Sequence, residues 1–107
     1  MEAPAHPPAS LWFCRLIPPR PGFAGDMSQD ERAAMGAHAA YWQAAMRRGT
    51  VVVYGPIADP AGVWGLGILR LASEAEVDSF LSGDPAIVSG LGFSYERLPF
   101  LNGIVAA

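Results

Sequence analysis

Apolar and polar residues alternate between two periods along this chain, with proline and glycine marking the breaks. Residues 11–17, LWFCRLI, mix aliphatic, aromatic and β-branched side chains and predict a first strand. The segment PPRPGFAGD (18–26) predicts a loop, because its prolines fix φ and lack the N–H that a helix or a central strand needs. Its length suits a lid or the rim of a site.

The period turns helical at Ser28. Ser28 and Glu31 form a capping box, in which the serine hydroxyl and the acid satisfy each other's backbone donors. The run to Arg48 is rich in Ala, Met, Gln and Arg, good helix formers all, with Gly36 the exception. Gly49 predicts the stop, and Arg47 and Arg48 favour the negative end of the helix dipole. Arg32, Gln43 and Arg47 mark one face. Met35, His38, Tyr41, Trp42 and Ala45 mark the other at i, i+3, i+4 spacing.

Residues 50–55, TVVVYG, predict a second strand that Gly55-Pro56 terminates. Asp59-Pro60-Ala61-Gly62 predicts a turn, and residues 63–71 a third strand, hairpinned to the second through a long connection. Ser73 and Glu76 predict another capping box, opening a helix with a buried edge of Val77, Phe80 and Leu81 and a stop at Gly83. Asp84-Pro85 reads as an N-cap followed by a proline in the first helical position, starting a short turn that ends at Gly90. Residues 92–98, GFSYERL, predict the fourth strand.

The order βαββαβ predicts an α+β, ferredoxin-like domain: a four-stranded, mostly antiparallel sheet with both helices on one face. Strands 1 and 3 carry large apolar residues in both parities, such as Trp12 and Phe13, or Leu66 and Leu69. The uncovered face therefore calls for a cover, and a homodimer paired sheet to sheet supplies one. Residues 1–10, rich in Pro and Ala and holding His6, predict a flexible tail, leaving 11–107 as a single domain.

Composition narrows the function classes. The chain has 107 residues, 51% of them hydrophobic, and a formal charge of −3. That is one domain by size. All of its Lys/Arg cations are arginines, scattered along the sequence, with only Arg47 and Arg48 adjacent. Nucleic-acid binding would need a basic stripe. No apolar run is long enough to span a bilayer, and the N-terminus has no signal-peptide pattern. With a single cysteine, Cys14, no internal disulfide can form. The expectation is a cytoplasmic protein with neither a nucleic-acid nor a membrane partner. Two histidines and one cysteine predict no metal site, and glycine-rich nucleotide motifs are absent.

His38 is the main candidate for chemistry, because it lies within an apolar stripe. A buried imidazole needs hydrogen bonds, so it is either a satisfied core residue or an acid/base. Asp84 is the candidate partner. A carboxylate on one ring nitrogen fixes the tautomer and frees the other, and a helix cap can do this while still capping. Tyr41, Trp42, Tyr54 and the Gly55-Pro56 turn are candidates to line a pocket, though each also suits plain core or strand termination. Tyr95 and Trp64 are further possible walls. Gly65 and Gly67 share one strand face and leave room for a bulky neighbour such as Trp42.

Taken together in order, Ala37-His38, Gly49, Val53-Tyr54-Gly55-Pro56, the Asp59 and Gly62 turn, Val77 and Phe80, Asp84-Pro85, Gly90-Leu91 and Leu98-Pro99-Phe100 resemble the YciI-like (YCII-related) proteins of the dimeric α–β barrel group. The resemblance spans roughly residues 11–100. It implies a sheet-paired dimer and an active site on His38 and Asp84, in a small enzyme without an organic cofactor. The wider group includes isomerases, lyases and monooxygenases acting on small, often aromatic compounds. Ala86 stands where members often carry an aromatic residue after Asp-Pro, and the 18–26 loop is longer than in the shortest members. The expected function is general acid/base chemistry of a lyase, isomerase or hydrolase type on a small organic molecule. The alternative is a non-catalytic ligand-binding or structural dimer.

Overall fold

In a computed structural model, residues 10–106 are described. The predicted tail and His6 lie outside these residues, except that Ser10 already belongs to the first strand. The elements run β1 (Ser10–Ile17), α1 (Phe23–Asp26), α2 (Gln29–Arg47), β2 (Val51–Ile57), β3 (Trp64–Leu71), α3 (Glu74–Ser82), α4 (Pro85–Val88) and β4 (Ser94–Pro99). The sheet order is β2-β3-β1-β4, every neighbouring pair antiparallel. This is the expected α+β, ferredoxin-like arrangement.

Local chemistry sets the boundaries of α2. Ser28 Oγ accepts from the Glu31 amide at 3.1 Å, and the Glu31 carboxylate accepts from the Ser28 amide at 2.8 Å. Gly49 follows the helix at φ +83°, a conformation costly for residues with a Cβ. The second capping box is only half formed. Ser73 Oγ takes the Glu76 amide, but the Glu76 carboxylate reaches the Ala72 amide instead.

Three boundaries differ from the sequence reading. The loop 18–26 contains the one-turn helix α1, which begins just after the last proline of the segment and buries Phe23. Strand β2 does not stop at Gly55. It runs through Pro56, which pairs with Gly65, to Ile57. Proline is tolerated there because β2 lies at the sheet edge, where one side of the strand needs no ladder donor. Strand β4 begins at Ser94 because Gly92 has φ +101° and turns the chain first.

The core lies between one sheet face and the helices. Trp12, Cys14 and Leu69 from the sheet meet Trp42 and Ala45 of α2 and Val77 and Leu81 of α3. The Cys14 thiol is buried, and that burial pushes its pKa up to about 12, so the thiol is inert. The opposite sheet face carries Phe13, Leu66 and Ile68, all half-buried, and Arg15, whose guanidinium stacks 4.6 Å from the Trp64 ring. Among the described residues, no helix is long and apolar enough to cross a membrane.

Candidate active site

His38 lies near the middle of α2, one turn from both Met35 and Trp42 on the inward stripe. Asp84 sits between α3 and α4, and its position follows from its capping role. The Pro85 ring favours the start of α4, and Asp84 Oδ1 accepts the Ala86 amide at 2.8 Å. The same carboxylate reaches His38 Nδ1 at 2.8 Å through Oδ2 and 3.0 Å through Oδ1. Capping and pairing with the imidazole thus coexist in one side chain.

Asp84 is wholly buried, while the His38 side chain is 18% exposed. Two more donors converge on Oδ2: Trp42 Nε1 at 2.8 Å and the Tyr95 hydroxyl at 2.5 Å. Burial alone would raise the Asp84 pKa. The bonds from His38, Tyr95 and the Ala86 amide outweigh it and hold the carboxyl below its ordinary value. Burial and the adjacent Asp84 charge push the Tyr95 hydroxyl far up, so it stays protonated and donates. An anionic acceptor on Nδ1 keeps a proton on that nitrogen, leaving Nε2 as the basic atom. Among the described residues Nε2 has no hydrogen-bond partner, and it is not sealed from solvent.

His38 borders a cavity of about 330 Å³, within the range of small-molecule sites. Trp42, Tyr54, Gly55 and Pro56 border it too, so four of the five pocket residues expected from sequence meet there. Tyr41 does not. Its hydroxyl donates to the Phe80 carbonyl at 2.7 Å and its ring packs on Phe80, on the far side of α2's inward stripe. Helical spacing put Tyr41 beside His38 and Trp42, but its side chain packs on and bonds to Phe80 of α3. Gly67 has the packing reason expected of it. A Cβ there would come within 2.3 Å of the Trp42 ring.

The rest of the wall is apolar and came less readily from sequence. Phe23, Ala24 and Met27 reach the cavity from the segment after β1, and Phe93 from the approach to β4. The segment is pinned by Arg20, which grips both Glu31 oxygens at 2.7 and 2.8 Å and also bonds to Asp26. Among the described residues, no Asp, Glu, Lys or Arg side chain lines the cavity. Tyr95 and Trp64, the further walls expected from sequence, both border the cavity, and Tyr95 pairs with Leu16, whose side chain points inward. Among the described residues no group of three or more His, Cys, Asp or Glu could hold a metal ion.

The family model for the YCII-related domain matches residues 11–101. Among solved structures, 5-chloro-2-hydroxyhydroquinone dehydrochlorinase (TftG) from Burkholderia phenoliruptrix AC1100, in complex with 2,5-dihydroxybenzoquinone, is 24% identical with a TM-score of 0.61. The alignment covers 86% of this chain and 95% of that one. The NE2512 protein of unknown function from Nitrosomonas europaea is 16% identical with a TM-score of 0.52, covering 92% of this chain and 96% of that one. At these identities the likeness is one of fold. No curated protein matches the chain.

Proposed function

Because this chain belongs to the YCII-related domain family, we propose that it is an enzyme using His38 and Asp84 for general acid/base chemistry on a small, largely apolar organic molecule. One observation carries the reading: an imidazole tied through Nδ1 to a fully buried carboxylate, its Nε2 unsealed, on a residue that borders an apolar cavity. Nε2 takes a proton from the bound substrate, or in a hydrolysis from the water that attacks it, and Asp84 stabilises the imidazolium that results. The proton then returns to the product or to a leaving group. This is elimination, isomerisation or hydrolysis without an organic cofactor. Trp42, Tyr54, Gly55 and Pro56 hold the substrate against Nε2. A dehydrochlorinase shares the fold, and removing hydrogen and chloride from a molecule requires a base, which is the role assigned to His38.

The test uses 5-chloro-2-hydroxyhydroquinone as the first probe, followed by unhalogenated hydroquinones and other small phenols. His38→Ala is expected to lose at least a hundredfold in turnover, roughly the contribution of one general base, with its circular dichroism spectrum unchanged. Full activity of that variant on any substrate the protein turns over would remove the assignment.

The second reading is a ligand-binding module in which the pair is structural. The complete burial of Asp84 and its cap of α4 favour it. On that reading no substrate is turned over, and His38→Ala loses about a kcal/mol or more of stability.

The working form on this proposal is a cytoplasmic homodimer joined through the outer sheet face. The half-buried apolar residues of that face, Phe13, Leu66 and Ile68, support it.

A further inference from the structure

Tyr95 borders the cavity, and its hydroxyl donates to Asp84 Oδ2 at 2.5 Å. That oxygen also takes Trp42 Nε1 and His38 Nδ1, both at 2.8 Å, while Oδ1 takes the Ala86 amide. A carboxylate has about four acceptor positions, and four donor groups occupy them here. Each donor draws on the same negative charge. What Tyr95 and Trp42 take is not available to stabilise a protonated imidazole.

We propose that Tyr95 is a positioning residue that sets the basicity of His38 through Asp84, its hydroxyl competing with the imidazole for Oδ2. Its catalytic meaning rests on His38 being the base, but the coupling itself exists without substrate. Tyr95 comes from β4, Asp84 from the cap of α4, and His38 and Trp42 from α2, so three separate parts of the chain fix one oxygen. The other titratable or charged groups around the cluster are Cys14 of β1, Tyr54 of β2, which packs on Trp42, Arg97 of β4, which is paired with Asp78 and Glu74 of α3, and Tyr41 and Arg48 along α2, with the Tyr41 hydroxyl already spent on Phe80; among the described residues none of them bonds to Asp84. The Tyr95 bond is therefore the adjustable one.

The experiment follows the His38 ring signals by NMR across pH in the full chain, with no ligand. Tyr95→Phe keeps the ring and deletes the donor. The titration midpoint of His38 is expected to move to higher pH by about half a unit, the share of one hydrogen bond passed on through a shared oxygen. Replacing Tyr95 with 3-fluorotyrosine makes the hydroxyl a stronger donor, and the midpoint is expected to move the opposite way. Tyr41→Phe, which removes a hydroxyl that does not touch Asp84, leaves it in place. Midpoints that are the same in all four proteins, or that move in one direction for both Tyr95 replacements, overturn the proposal. Should Tyr95→Phe fail to fold, the fluorotyrosine protein alone decides the sign. Such a failure leaves the base assignment standing. Conversely, full turnover by His38→Ala would remove the base and leave the coupling measurable.

Discussion

At the scale of single residues, Asp84 carries the most consequence per atom. Replacing it with Ala leaves the Trp42 indole N–H, the Tyr95 hydroxyl and the Ala86 amide buried without their acceptor. A loss of about 3–5 kcal/mol in unfolding free energy is expected by chemical denaturation. The acid side of the stability profile follows from its depressed pKa. Stabilisation by the ionised carboxylate is complete above the ordinary value of 3.8 and is lost as the pH falls through the lowered one. Glu31 acts in the same direction. The Arg20 guanidinium and the Ser28 amide bring it from 4.5 down to about 2, so its contribution also fades only in strong acid. A denaturation series below about pH 5 should show stability declining with acid, and Asp84→Asn should flatten part of that decline. The histidine and its partner were both legible in the sequence, one from its place in an apolar stripe and the other from a capping signal. The two extra donors were not, because Trp42 and Tyr95 look like ordinary core in any one-dimensional pattern. Only the packing of α2 against β4 brings them to the same oxygen.

At the scale of elements, the site depends on how closely α2 approaches the sheet, and Gly67 sets that distance. The Trp42 ring occupies the space a side chain on Gly67 would fill. Gly67→Ala should therefore displace the indole, cost about 1–3 kcal/mol as overpacking does, and shift the tryptophan emission. The pairing of a bare glycine face with a large helix residue was readable from sequence, because strand parity and helical spacing both pointed inward there. The segment between β1 and α2 was not. Prolines announce where regular structure is unlikely, but they do not show that Arg20 bonds back to Glu31 and lets Phe23 start a buried turn. Arg20→Ala should release this wall. Hydrogen exchange at the amides of Phe23–Asp26 is expected to speed up while the centre of α2 stays protected. The extension of β2 through Pro56 was missed for a related reason: whether proline ends a strand depends on whether the strand is an edge, and that is decided by the order of the sheet.

At the scale of the molecule, the helices shield one sheet face and leave the other to Phe13, Leu66, Ile68 and the stacked Arg15–Trp64 pair. If a second copy covers this face, light scattering coupled to size exclusion should give twice the chain mass, and Ile68→Glu should give a monomer with an unchanged near-ultraviolet spectrum. A wild-type monomer at micromolar concentration would remove the dimer. The layer order and the inward face were legible from alternating periods, while the question of what covers the outer face lies beyond any single chain. The sheet's borders bear on that question in a different way. Both outer strands hold a proline, Pro56 in β2 and Pro99 in β4. A strand lacking an N–H is a poor template for a foreign strand. Sideways growth into an endless ribbon of neighbouring copies is thus discouraged at both margins of the sheet.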